Sequence, residues 1–279
     1  MNGCPIAIPS YRRAETLPVK TWALLERWGV ALERVEVFVA DAEDETAYRK
    51  TLPSEVRLVR AVPGIQQVRN FIHCHYPDGE RFISIDDDLQ DVVERVDDKT
   101  TTPLMDFEAL CDRGWAACEQ TGARLWGVYP VPNPMFMKPR VNRELSYVPG
   151  CLYGVHNAQA LLVTTDDKED FERSILYYRA HGAIARIEDV ALKTRYYKEP
   201  GGMQVERTAE RVRRRAVYLA ERYPEFCTLD TKKRSGHWEV RLRDKRPAAR
   251  LRRKQRAATK AAQELALRAR ERDDNATQA

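Results

Sequence analysis

The sequence has no uninterrupted apolar run long enough to cross a bilayer, which argues against a membrane-spanning helix. Its first residues lack the basic-then-apolar pattern of a secretory signal, and the apolar stretch there reads as a core strand, so a cytoplasmic location is expected. The six cysteines, Cys4, Cys74, Cys111, Cys118, Cys151 and Cys227, include no CxxC pair, and no Cys/His spacing resembles a zinc site. Free, buried or half-buried thiols are expected, without a disulfide framework. No internal repeat is visible, which argues against a solenoid. Net charge is a modest +5, but residues 241–260 hold ten Lys or Arg against one acid, Asp244. That segment is either a polyanion-binding appendage or a solvated helix that aids solubility.

What is present is enough for one large α/β domain with a small appendage: 279 residues, 43% hydrophobic and 32% charged. Residues 5–8 read as a strand, 16–30 as a helix, 35–40 and 56–62 as strands, 65–76 as a helix and 81–85 as a strand. This alternation predicts a mostly parallel, doubly wound sheet flanked by helices, with ligands beyond the strands' carboxyl ends. The loops 9–12 and 41–45 and the triplet Asp86-Asp87-Asp88 would meet there. Further on, helices are expected over 104–119, 166–182 and 208–223, and strands over 124–129 and 237–243. Residues 146–156 mix strand and turn signals, and 184–197 read as strand or short helix. A body over 1–243, divided near 95, and a basic helical tail over 244–279 complete the organisation.

Three adjacent carboxylates at the end of an apolar strand repel one another unless a cation or donors offset the charge. Mg²⁺ or Mn²⁺, bound through one or two carboxylates and a substrate's phosphates, fits Asp86 and Asp88, which lie two residues apart. The plainer reading is an acidic turn. Arg69 and Asn70 precede that strand on a helix; Arg69 is suited to phosphate by its bidentate fork, or is a surface ion-pair partner. Glu169-Asp170 opens the helix at 166–182 and offers a general base, or acidic first-turn residues of an ordinary cap. Glu188-Asp189 is a rival pair. His156, His181 and His237 are candidates for a further metal or diphosphate contact. The loop 129–137 and the aromatics Tyr147, Tyr153, Tyr196, Tyr197 and Trp238 offer stacking faces, or, for each aromatic, core packing.

The ordered set I-A-I-P-S-Y-R-R, V-F-V-A-D, G-x-x-x-x-R-N and I-S-I-D-D-D over residues 4–95 resembles GT-A-fold glycosyltransferases. The Glu169-to-Arg173 stretch resembles the E-D helix of inverting members. More narrowly, these motifs with Tyr196 to Gly202 are similar to the TET-associated glycosyltransferases of phages, over a resemblance reaching about residue 243. That resemblance implies sugar transfer from a nucleotide-diphosphate donor, such as a UDP-sugar, to 5-hydroxymethylcytosine or 5-hydroxymethyluracil in DNA. It implies a host-cytoplasmic setting and Mn²⁺ or Mg²⁺ at Asp88 and Asp86. It implies Asp170 as base with Glu169 beside it. The donor would meet Pro9, Ser10, Tyr11, Arg12, Asp41, Glu43, Gln67, Arg69, Asn70, Asp86 and Asp87, with Lys198 closing over the diphosphate beside Gly201-Gly202. Arg211, Arg214, Arg215 and Trp238 would meet DNA. Of the triplet, Asp87 is expected to point away from its neighbours. Two other readings stand beside this one. One is a transferase acting on a glycan, lipid or protein. The other is a non-catalytic DNA-binding protein on a degenerate nucleotide-sugar fold.

Overall fold

The computed structural model describes residues 3–194, 208–231, 238–249, 251 and 255. Its first half is built on four parallel strands: β1 (Ile6–Pro9), β2 (Val35–Val39), β3 (Arg57–Arg60) and β4 (Arg81–Ile85), in the order β3-β2-β1-β4. Every residue of β1 and β2 is buried, as expected for parallel strands covered on both faces. β1 has β2 on one side and β4 on the other. The connections reverse there, so a crevice opens beyond the strands' carboxyl ends.

The sheet continues from β4 through β9 (Leu152–His156), β7 (Leu125–Tyr129), β10 (Ala185–Lys193), β5 (Asp91–Arg95) and β6 (Thr101–Pro103), with β8 (Val141–Asn142) paired to β10. β9 runs antiparallel to both β4 and β7. The end of β7 and the start of β9 therefore share the edge at which β4 ends. β5, β6, β8 and β11 (Cys227–Asp230) carry no strong sequence pattern and add to the expected strands.

Helices α1 (Ala23–Arg27), preceded by a wider helical turn over Pro18–Trp22, and α4 (Phe107–Thr121) share one core with the inward sides of β1 and β10. α3 (Ile65–His75), α5 (Glu169–His181) and α6 (Ala209–Arg222) share a second core with Ala7, Phe38 and Phe82. The acids at 41–45, read as a loop, instead open α2 (Ala42–Thr51), because Asp41 caps it by accepting from the Glu43 and Asp44 amides at 2.9 Å. Trp126 of β7 is fully buried, and Gly114 of α4 and Gly154 of β9 lie against its indole. A Cβ at either position would overlap the ring.

A small antiparallel pair, β11 with β12 (Glu239–Leu242), sits beside α6. Asp244 is buried and accepts from the Tyr178 hydroxyl at 3.1 Å, and Ala249 is buried, so the packed body continues to there. No helix among the described residues is long and apolar enough to cross a membrane. All six cysteines are free; five are buried or half-buried as expected, and Cys74 is exposed.

Candidate active site

The aspartate triplet follows β4 directly, and its turn is held from below. Thr21, fully buried, donates to the Asp86 carbonyl at 2.6 Å and accepts from the Leu89 amide at 3.0 Å. The Asp86 amide donates to the Cys151 carbonyl at 3.0 Å, tying the turn to the start of β9. Arg13 lies across the turn, donating from Nη1 to Asp87 Oδ1 at 2.6 Å and to Asp88 Oδ2 at 2.8 Å. Ser10 donates to Asp87 Oδ2 at 2.5 Å and also shares a hydrogen bond with the Tyr48 hydroxyl, which accepts from the Arg13 amide at 3.0 Å. Burial and the neighbouring Asp87 and Asp86 push Asp88 up to about 6 against the pull of Arg13. Burial likewise raises Asp87.

Asp86 turns the other way. Its Oδ1 accepts from Arg69 Nη2 at 2.5 Å. Arg69 also donates to Ser84 Oγ at 2.8 Å and to the Gly150 carbonyl at 3.1 Å, and its Nε lies 3.5 Å from Glu169 Oε1. One guanidinium thus ties the triplet to the first residue of α5. Gly150 fits between them: a Cβ there would lie 3.0 Å from Glu169 Oε1 and 3.1 Å from Arg69 Nη2. Burial, then the adjacent Asp170, raise Glu169 above the usual carboxylate range, while Arg69 and Arg173 oppose the shift.

Asp170 is the half-exposed member of the pair and Glu169 the buried one. Tyr147 donates to Asp170 Oδ2 at 2.6 Å, the Gly150 amide to the same oxygen at 3.3 Å, and the Phe171 amide to Oδ1 at 2.9 Å. Tyr147 stacks on Phe171 with ring centroids 4.2 Å apart. Lys168 enters α5 with φ 69°, and its Nζ is held by Glu239 at 3.0 Å.

Several expected positions differ. Arg69 was expected on the diphosphate, but its side chain is 1% exposed and engaged inside the protein. Asn70 donates to the Val163 carbonyl at 2.9 Å and accepts from the Val163 amide at 3.0 Å, so it pins the loop before α5. Asp87 does not point away from both neighbours, since it shares Arg13 with Asp88; Asp86 is the one that diverges. Pro9 and Ser10 are buried at the end of β1, Tyr11 is half-buried, and Arg12 is exposed with φ 53°. This turn sends Arg12 outward, its amide held by Asp44 at 3.2 Å, and Arg13 inward. Asp41, Glu43 and Gln67 are exposed around the same edge.

The rival pair is occupied elsewhere. Glu188 accepts from Arg140 at 2.6 Å, Arg186 at 2.7 Å and Asn142 at 3.1 Å, and Asp189 pairs with Arg113 at 2.8 Å. His156 ends β9 against Trp115, and His181 ends α5, each at the opposite end of its element from the site. Arg211 and Arg215, expected on DNA, instead pair with Asp166 at 2.6 and 2.7 Å, and Arg211 also reaches Asp167 at 2.8 Å. Trp238 packs against the second core beneath Arg213, whose guanidinium carbon lies 4.0 Å from the ring centre. Arg214 is exposed. Lys198, Tyr196, Tyr197 and His237 lie outside the described residues. Arg13, Thr21, Tyr48 and Gly150 are site residues that sequence reasoning missed.

No family model matches the chain, and no curated protein matches it. Solved structures do. S. aureus TarS 1-349, in complex with UDP-GlcNAc, aligns with a TM-score of 0.51 at 15% identity, over 77% of this chain and 66% of its own. The chain thus spans just under two thirds of that 1-349 chain, and 39% of a longer TarS chain. The mannosyltransferase PcManGT from Pyrobaculum calidifontis, in complex with GDP-Man and Mn²⁺, aligns at 0.49 and 12% identity, over 79% and 63%. Glucosyl-3-phosphoglycerate synthase from Mycobacterium tuberculosis, in complex with Mn²⁺, UDP and glucosyl-3-phosphoglycerate, aligns at 0.46 and 11% identity, over 87% and 88%. The chain has the GT-A fold.

On this GT-A sheet the carboxylates fit a hard cation. Asp88 is crowded by two like charges in a buried setting, with Arg13 as counter-charge, and oxygen ligands suit Mg²⁺ or Mn²⁺. No group of three or more His, Cys, Asp or Glu among the described residues is arranged to hold a metal by itself. An ion that takes one or two carboxylates and completes its shell with water and phosphate needs no such cage.

Proposed function

We propose that this chain is a glycosyltransferase that moves a sugar from a nucleotide-diphosphate donor to the hydroxymethyl oxygen of a 5-hydroxymethylpyrimidine in DNA, with inversion. The observation that carries the transferase reading is the pairing of two carboxylate groups across one sheet edge. Gly150 meets both groups, its amide donating to Asp170 and its carbonyl accepting from Arg69, and Arg69 links Asp86 to Glu169. TarS holds UDP-GlcNAc on the same fold, so a UDP-sugar is the first donor to test.

Asp88 and Asp86 would hold Mn²⁺ or Mg²⁺, which would offset the charge of the leaving diphosphate. Ser10 and Arg13 keep Asp87 and Asp88 in place. Asp170 takes the proton of the acceptor hydroxyl as its oxygen bonds to the anomeric carbon and the bond from that carbon to the diphosphate oxygen breaks. Tyr147 and the Gly150 amide orient Oδ2 for this. Glu169 is buried behind Asp170 and acts as a positioning group through Arg69. The donor's base and ribose would meet Tyr11, Arg12, Asp41, Glu43 and Gln67, the exposed or half-exposed rim of the edge.

The DNA acceptor rests on the motif resemblance to TET-associated enzymes. The test is incubation of purified protein with UDP-sugars, Mn²⁺ and DNA containing hydroxymethylcytosine or hydroxymethyluracil, read by mass. A hexose or N-acetylhexosamine added to DNA supports the reading. Donor hydrolysis without any gain on DNA points to a glycan, lipid or protein acceptor instead. Absence of UDP binding in the presence of Mn²⁺ would favour a non-catalytic DNA-binding role.

A further inference from the structure

Four of the nine large hydrophobic side chains exposed among the described residues lie in one short stretch: Val131 at 51%, Met135 at 63%, Phe136 at 59% and Val141 at 40%. This stretch follows β7, whose end shares the edge of the aspartate triplet. It is a built turn. Asn133 accepts at its carbonyl from the Phe136 and Met137 amides at 3.0 and 3.2 Å, and at its side chain from the Met135 amide at 3.2 Å. Met137, fully buried with Val93 and Ala191, anchors it, and Arg95 holds the Pro134 carbonyl at 3.2 Å. Met135 and Phe136 are therefore presented to solvent by a fixed frame.

The turn's own charged side chains have one sign. Lys138, Arg140 and Arg143 follow it, and residues 130–143 contain no acid. Arg140 pairs with Glu188 through Nε yet keeps its side chain 65% exposed. The turn also leads to the reacting group. β8 pairs with β10 at Arg186, Arg186 donates to the Tyr147 carbonyl at 3.1 Å, and Tyr147 holds Asp170.

We propose that the turn at 130–143 is the lip that seats the DNA acceptor, with Met135 and Phe136 against bases and Lys138, Arg140 and Arg143 against phosphates. This rests on the DNA-directed reading of the same site. An aromatic face flanked by cations suits a polyanion that carries planar rings. α6 is the competing surface: its Arg213 and Arg214 are exposed, while Arg211 and Arg215, like Arg140 of the turn, pair with acids of the body. An anionic bilayer would share the charge preference, but interfacial docking calls for a continuous apolar face, and here four prolines at 130, 132, 134 and 139 break the run.

The test is fluorescence anisotropy of the full chain with a short labelled duplex containing hydroxymethylcytosine, across a salt series. Phe136→Ala should weaken binding about tenfold. Lys138→Gln with Arg143→Gln should flatten the plot of log affinity against log salt by about two phosphate contacts. Both variants should keep the wild-type affinity for UDP with Mn²⁺, which also reports that they fold. Unchanged DNA affinity in both variants overturns the lip while leaving the DNA acceptor intact. Loss of binding on Arg213→Gln with Arg214→Gln but in neither lip variant moves the surface to α6 and overturns the lip as well. If the wild type binds vesicles of phosphatidylserine and phosphatidylcholine but not DNA, both the lip and the DNA acceptor fall.

Discussion

Tyr147 donates its hydroxyl to Asp170 Oδ2 at 2.6 Å, and its ring stacks on Phe171, the residue after Asp170. The carboxylate is thus aimed from outside its own helix, by a residue of the loop before β9. Replacing Tyr147 by Phe removes the hydrogen bond and keeps the stack. A hydrogen bond to a charged group contributes about 1.5–3 kcal/mol, so kcat should fall roughly tenfold to a hundredfold. UDP affinity should not change, because Tyr147 holds Asp170 and Phe171 rather than the triplet. Steady-state rates at saturating donor, with calorimetry for UDP, check this. A variant with full kcat and a raised donor KM would show Tyr147 to be a donor-binding residue instead.

The triplet predicts a trade of stability against metal binding. Asp88 rises to about 6 in the folded protein, through burial and then Asp87 and Asp86, whereas an unfolded Asp titrates near 3.9. Between these values the folded state binds more protons than the unfolded state, so this group's contribution to stability falls as pH rises, and levels off above about 6. Asp88→Asn removes that cost. Without metal the variant should melt about 2–6 °C above wild type at pH 7.5, and by little at pH 4.5. Mn²⁺ should raise the melting temperature of the wild type and leave the variant unmoved. Thermal melts at the two pH values, with and without Mn²⁺, test it; a variant that melts lower at pH 7.5 contradicts the argument.

The features legible in the sequence are those set by local chemistry. The buried parallel strands β1, β2 and β4 are continuous apolar runs, and their ends carry the acids and the Pro-Ser-Tyr turn. The Asp41 cap was visible as an acid but not as the start of α2, because a cap and a loop acid look alike before the helix is seen. Arg13 was not separable from Arg12, since which of two adjacent arginines faces inward depends on the left-handed turn at Arg12. The burial of Arg69 depends on the antiparallel strand β9, whose preceding Gly150 carbonyl it meets, and no local pattern shows it. Strands β5 and β6 lack a clear alternating pattern; they pair locally with each other, but what holds them in the sheet is the long-range pairing of β5 with β10. The ion pairs of Arg211 and Arg215 likewise join segments over forty residues apart, beyond the reach of local charge counting.

Trp126 sets an expectation on folding rather than chemistry. Its indole is fully buried between Gly114 and Gly154. Gly154→Ala should destabilise the protein by about 1–3 kcal/mol, the usual cost of overpacking a tight core. Adding Trp126→Phe should restore part of that loss, because a smaller ring makes room for the new methyl. Urea unfolding of the two single variants and the double variant gives the coupling. Purely additive losses would mean that the glycine is required for a reason other than the indole.

Glu172 is the carboxylate that holds the base of α5 in place. It is fully buried, and both oxygens are used: Oε2 accepts from the Thr164 and Thr165 amides at 2.6 and 3.0 Å, and Oε1 from the Thr164 hydroxyl at 2.6 Å and the Tyr223 hydroxyl at 2.7 Å. It therefore joins α5 to the loop before it and to the end of α6. Glu172→Gln sets an NH₂ group against two of these donors, whichever way the amide turns. The loss should be about 2–4 kcal/mol, against about 1 kcal/mol for Tyr223→Phe, which removes one donor from a group that keeps three. Urea unfolding measures both. Amide hydrogen exchange at Thr164 and Thr165 should speed up in Glu172→Gln well before global unfolding, because these two amides lose their acceptor while the strands keep theirs. Unaltered exchange at both amides would show that the loop is held by its other contacts, with Glu172 a minor part of the join.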